Sequence, residues 1–138
     1  MNNIKISVQT EDFDLAKEIQ TLRELGNHIG AITNFTGLMR DFNQGDDVKG
    51  MFLEHYPGMT EKSLQQIVQQ AQSRWDLQGI NVIHRVGQLL PGDQIVFVAV
   101  ASAHRKEAFA ACEFIMDYLK TQAPFWKKEL TQEGERWV

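Results

Sequence analysis

An α+β single domain, with a mixed and mostly antiparallel sheet packed with helices, is the fold class that this sequence predicts. Three observations carry the prediction. Short β-patterned segments alternate with segments of helical periodicity along the whole chain. The turn signal Pro91-Gly92-Asp93 separates two runs rich in β-branched residues, which makes them arms of an antiparallel hairpin. The 138 residues and 15.8 kDa suit one domain over 1–138, with no repeat, low-complexity tract or linker to divide it. A folded chain of this mass exposes roughly 7,300 Å² of the about 22,900 Å² it exposes unfolded. That burial supports one core without a disulfide or a structural metal.

The elements follow in order. Ile4, Ile6 and Val8 alternate as in a half-buried strand. Asp12 or Asp14 can cap a helix carrying Leu15, Ile19 and Leu22 on one face, and Gly26 stands where a C-terminal cap belongs. Residues 29–36 read as a strand, 40–47 as a polar loop, and 48–56 as another strand. Pro57-Gly58 breaks the chain and Thr60 can cap the next helix. Leu64, Ile67, Val68, Ala71 and Trp75 then recur at helical spacing, the clearest amphipathic signal here. Residues 80–89 and 94–101 are the hairpin arms, and the second is apolar throughout, as in a central strand covered on both faces. Ser102 can cap a third helix with Phe109, Cys112, Ile115, Met116 and Leu119 inward, and Pro124 ends it or begins a new turn. Nothing in the polar segment after Trp126 assigns it to an element.

Composition excludes several classes. Hydrophobic residues make up 43% and charged residues 23%, so disorder, collagen and coiled coil are not expected. A net charge of −4 and a pI near 5.5 argue against a nucleic-acid binder, which needs a basic face. No apolar run reaches a membrane span, and Met1-Asn2-Asn3-Ile4-Lys5 lacks the pattern of a signal peptide. The single cysteine, Cys112, forms no internal disulfide and fits a reducing cytoplasm. Four histidines, at 28, 55, 84 and 104, stand far apart without metal-ligand spacing, and there is no GxGxxG, GxxxxGK or GxSxG motif. Neither a metal nor a cofactor is predicted.

Cations are the chemistry that remains. His104, Arg105 and Lys106 open a helix, where the macrodipole prefers acids, so they form either an anion site with the helix N–H groups or a solvated corner. Lys120 and Lys127 flank Pro124-Phe125-Trp126. Aromatic walls and a second cation would lower a lysine pKa and free its amine, whereas lysines at a helix C-terminus can also just complement the dipole. Arg40 projects from Thr36-Gly37-Leu38-Met39, where glycine loosens a strand end, as a phosphate or carboxylate reader or a solvated arginine. His55 reads as a hydrogen-bonded structural histidine, His84-Arg85 as a cross-strand or interface pair, and Cys112 as core.

Four segments in this order resemble one family. They are Leu53-Glu54-His55-Tyr56-Pro57-Gly58-Met59-Thr60-Glu61, the turn Pro91-Gly92-Asp93, Ser102-Ala103-His104-Arg105, and Asp117-Tyr118-Leu119-Lys120 with Pro124-Phe125-Trp126-Lys127. Together they are similar to the large, catalytic subunit of molybdopterin synthase, over 29–138, with 1–28 alike only in general character. The resemblance implies a hammerhead-like α/β arrangement and a sulfurtransferase of molybdenum cofactor biosynthesis. The implied substrate is cyclic pyranopterin monophosphate (precursor Z), which gains two sulfurs to become molybdopterin. The implied donor is the thiocarboxylated Gly-Gly terminus of a small ubiquitin-like subunit. The implied assembly is a homodimer of large subunits with one small subunit at each far end, a heterotetramer.

Residue by residue, the resemblance gives Lys120 acid–base, electrostatic or covalent work at the donor terminus. It gives Lys127 the stabilisation of developing negative charge. Arg40, His104 and Arg105 match the pocket that holds the substrate phosphate, some of them reaching it from the other protomer. Phe35 and Met116 match neighbours of that pocket. In the family that the chain resembles, many members continue with a charged tail beyond the position of Val138, and a basic residue in it can join the pocket. The alternative to the enzyme is a non-catalytic module that binds a ubiquitin-like tail or a phosphorylated metabolite. The second lysine favours the enzyme, because tail capture alone has no use for it.

Overall fold

The computed structural model describes residues 3–138, so Met1 and Asn2 of the stretch read above for a signal peptide lie outside it. The described residues form β1 (Ile4–Gln9), α1 (Leu15–Arg23), β2 (Ala31–Leu38), β3 (Phe42–Asn43), β4 (Asp46–His55) and α2 (Met59–Arg74). There follow β5 (Gly79–Arg85), β6 (Gly87–Leu89), β7 (Gln94–Ser102), α3 (Arg105–Thr121), β8 (Phe125–Thr131) and β9 (Gly134–Trp137). The α+β class is as predicted, but the strands divide into two sheets. The first has the order β1-β5-β7-β2, and only its β1–β5 pair is parallel. The second runs β3-β4-β8-β9, with β6 added beside β4.

The first sheet holds the core because β7 is apolar at every position that faces a layer. Val96, Val98 and Val100 pack with Leu64, Val68 and Ile115 from α2 and α3, and Phe97, Ala99 and Ala101 pack with Leu22 on the α1 side. Residues 97–101 have no exposed surface. Burying such side chains contributes roughly 1.5–3 kcal/mol each, which makes this strand the centre of the fold.

The first hairpin arm does not stay one strand. It breaks after Arg85, and Gly87, at φ 88°, turns the chain so that β6 leaves the first sheet and pairs with β4 in the second. Only glycine enters that left-handed region without strain. The turn 90–93 is closed by Asp93, whose N–H donates to Leu90 O (3.0 Å) and whose carboxylate accepts from Leu90 N (2.8 Å). It is tied in turn to the end of β2, because Met39 N donates to Asp93 O (2.9 Å) and Gly92 N to Met39 O (2.8 Å).

Several local expectations are corrected. Asp14 caps α1, but the helix ends at a Glu24 cap before Gly26. The strand expected over 29–36 lies at Ala31–Leu38, and the loop 40–47 contains β3 and a tight turn with Gln44 at φ 53° and Gly45 at φ 83°. Gly58 caps α2, where its N–H donates to Glu61 Oε1 (3.2 Å), while Thr60 lies buried inside the helix. The α3 cap is His104 and not Ser102, which ends β7 and donates to Asp76 O (2.9 Å). Phe109 faces outward, 63% exposed, while Ala108 and Ala111 take the inward positions. After Pro124 the chain forms the β8–β9 hairpin, which no sequence pattern had assigned.

Candidate functional site

The second sheet has an inward and an outward face. Along β8 the alternation turns Phe125, Lys127, Glu129 and Thr131 inward, and Trp126, Lys128 and Leu130 outward. Lys127 therefore faces the same side as its cross-strand neighbour Leu53, toward Arg40 at the end of β2. The two cations line one cleft of about 100 Å³ together with Glu129, and Met39, Met51 and Ile95 supply its apolar wall. The turn contacts of Met39 hold the backbone that carries Arg40.

Glu129 organises the cleft, and the sequence reading missed it. The residue is 4% exposed. It accepts from Arg136 at Oε1 (3.2 and 3.3 Å) and from Asn43 Nδ2 at Oε2 (3.0 Å), and Lys127 Nζ stands 3.9 Å away. Arg136 also donates to Asp46 Oδ2 (2.7 Å) and Asn43 O (2.9 Å). Desolvation works against its charge, but the bonds to Asp46 and Glu129 outweigh it and hold the guanidinium above its ordinary pKa. The network thereby ties β9 to the β3–β4 turn and to the Lys127 strand. Its one local signal was the alternation in 125–131: Arg136 is seven residues from Glu129, but Asn43 and Asp46 lie 86 to 93 residues from their partners.

Lys120 belongs to the same end of the molecule. The thiol of Cys112 lies 3.7 Å from Val98 O, which sets α3 against β7. Eight further helical residues advance about 12 Å, the length of nearly four strand residues, so Lys120 comes level with the start of β7. There Gln94 pairs with Leu38, two residues before Arg40. Arg40, Lys120 and Lys127 thus share one end of the first sheet.

His104 and Arg105 do not join them. Both are exposed at the start of α3, and fifteen helical residues separate Arg105 from Lys120, a rise of about 22 Å. Phe35 lies between the two ends. It pairs with Val98 on the α3 side of edge strand β2 and is 44% exposed. Half-buried Met116 packs against the core cluster on that same side. Gly37 serves this packing, and the pairing of β2 with β7 shifts register between it and Leu38, so the strand end is irregular there as expected. A Cβ on Gly37 would come within 2.7 Å of Val96 Cγ1 and 3.3 Å of the Phe35 ring.

The remaining candidates are structural. Burial pushes the Cys112 thiol up to about 11, against a weaker opposing bond from the Phe35 backbone, so it stays protonated. His84 is 7% exposed, stacks on Phe125 at 3.9 Å, and its Nδ1 is 2.8 Å from Arg85 O. Burial lowers its pKa to about 4. Arg85 donates to Thr10 O (3.1 Å) and Gln94 O (3.0 Å), a cross-strand tie.

Residues 8–122 match the family described as MoaE protein. The molybdopterin synthase catalytic subunit of Vibrio cholerae is 62% identical over 134 residues, which cover 97% of this chain and 89% of that protein. Among solved structures, a molybdopterin biosynthesis MoaE protein from Burkholderia ambifaria superposes with a TM-score of 0.83 at 54% identity, covering 97% of this chain and 88% of that one. A molybdopterin synthase from Staphylococcus aureus gives 0.85 at 31% identity, covering 100% and 98%. With a matched segment and an identity of that extent, the chain belongs to the family of molybdopterin synthase catalytic subunits.

Proposed function

We propose that this chain is the catalytic subunit of a molybdopterin synthase. It transfers sulfur from the thiocarboxylated C-terminus of a small ubiquitin-like subunit to cyclic pyranopterin monophosphate, precursor Z. The observation that carries the reading is the cleft shared by Arg40 and Lys127, with Lys120 at the same end of the sheet. A cyclic phosphate needs fixed cations, and opening its ring exposes more negative charge. Preorganised donors aimed at developing charge are the usual large catalytic contribution. In this reading Lys120 works at the donor terminus, Lys127 stabilises developing charge, and Arg40 holds the phosphate. Each sulfur leaves the acyl carbon of the partner and an oxygen from water replaces it, so making one dithiolene consumes two donor tails. The only cysteine is buried with a protonated thiol, which fits a sulfur that arrives from outside and a reducing cytoplasm as the place of work.

His104 and Arg105 act, in this reading, from a second copy of the chain, because a single α3 cannot bring them to Lys120. A homodimer also gives a use to the outward face of the second sheet, where Phe52, Trp126, Leu130 and Trp137 are each 37–57% exposed. The test is conversion of precursor Z by the purified chain with thiocarboxylated small subunit. Lys120→Ala should lower turnover at least about a hundredfold with the fold intact. Arg40→Ala should chiefly weaken substrate binding. Wild-type turnover in the first variant, or unchanged substrate affinity in the second, would overturn the assignment of that residue.

A further inference from the structure

The connection between Lys120 and Lys127 is held from two sides by residues that lie outside the cleft. After α3 the chain turns sharply, with Gln122 N and Ala123 N both donating to Tyr118 O (2.8 and 3.1 Å) and Phe125 N to Ala123 O (2.8 Å). Thr60, in the first turn of α2, is fully buried. Its hydroxyl accepts from Tyr56 N (2.9 Å) and donates to Pro124 O (3.0 Å). One hydroxyl thereby fastens the end of β4 to the middle of the connection. On the next residue, His84 of β5 stacks its ring on Phe125 at an interplanar angle of 18°. Nδ1 of that ring must donate, since its partner is the Arg85 carbonyl, and this fixes the ring plane. Phe125 is two residues before Lys127 on the same face of β8.

We propose that Thr60 and His84 are positioning residues that set the distance and orientation between Lys120 and Lys127. The proposal rests on the reading that both lysines act in sulfur transfer. A hydroxyl with two backbone partners and a buried stacked ring are rigid restraints. Displacement of a reacting group by about 1 Å can cost about a hundredfold in rate. Neither residue touches the cleft, so both act through Pro124 and Phe125.

The experiment uses the full chain with its thiocarboxylated small subunit. Thr60→Val keeps the side-chain shape and removes the hydroxyl. It should lower kcat for precursor Z conversion about tenfold or more while KM stays within about twofold, and Thr60→Ser should restore kcat. Amide hydrogen exchange should quicken over 122–128 in Thr60→Val and not in Thr60→Ser. If Thr60→Val does not fold, His84→Leu, which removes the stacked ring, should show the same kcat split and the same exchange pattern. Wild-type kcat in the hydroxyl-free or ring-free variant, while Lys120→Ala is inactive, overturns the positioning role. Unchanged exchange over 122–128 overturns it whatever the lysines do. Full turnover in both Lys120→Ala and Lys127→Ala would instead overturn the underlying assignment of the two lysines.

Discussion

His84 shows how one side chain couples burial to pH. Burial lowers its folded pKa to about 4, and the nearby charge of His55 pushes the same way, whereas the unfolded chain has the ordinary value of 6.5. Between those values the unfolded state binds a proton that the folded state refuses. Stability is therefore complete above pH 6.5, declines as pH falls toward 4, and levels off below it. The shift amounts to about 3 kcal/mol at full extent. Urea unfolding between pH 4 and 7 should show this slope, and His84→Phe should remove most of it; an equal slope in the variant would locate the proton elsewhere. The cations of the candidate site stood out one at a time in the sequence, because Arg40, Lys120 and Lys127 each lie within four residues of a glycine, proline or aromatic residue that marks a corner. Glu129 was not. A single acid in a polar run carries no sign that Asn43 and Arg136 will close around it.

At the scale of elements, legibility followed the direction in which side chains face. β7 and α2 were read correctly because apolar residues face inward at the period of the element. β8 inverts the rule: it turns Lys127 and Glu129 in and Trp126 and Leu130 out, so no strand pattern with an apolar inner face exists to find. Thr60 and Ser102 were misread as caps because the same hydroxyls that cap helices can tie distant segments, here to Pro124 and Asp76. The junction of β2 with α3 gives a prediction of its own. Gly30 donates its N–H to Ser102 O (3.0 Å), and a Cβ there would lie 2.1 Å from the Ala103 carbonyl oxygen. Backbone meets backbone, so nothing flexible can yield. Gly30→Ala should cost about 3 kcal/mol or more in urea unfolding. Gly134→Ala meets open space and carries only a φ of 109°, and should cost about 1–2 kcal/mol. Equal costs would show that the junction gives way more easily than its packing implies.

The whole molecule exposes 8,126 Å², about a tenth more than its mass calls for, and part of that excess is the apolar outward face of the second sheet. The same scale separates Arg105 from Lys120 by about 22 Å along one rigid helix. Covering the face and completing the site are, in the proposed homodimer, the same event. A two-fold pair makes two sites, each with Lys120 from one protomer and Arg105 from the other. When Lys120→Ala chains assemble with Arg105→Ala chains, one site of the mixed dimer carries both lesions and the other carries neither. Random assortment makes half the dimers mixed, so the two variants coexpressed with different tags, assayed at a substrate concentration too low for Arg105→Ala to turn over by itself, should recover about a quarter of wild-type turnover. Adding Phe52→Glu to both chains should abolish the recovery and give monomers by light scattering, since a carboxylate would then be buried in the apolar interface. Dimers by light scattering with no recovery in the mixture would mean that each chain completes its own site, and His104 and Arg105 would then lose their place in substrate binding.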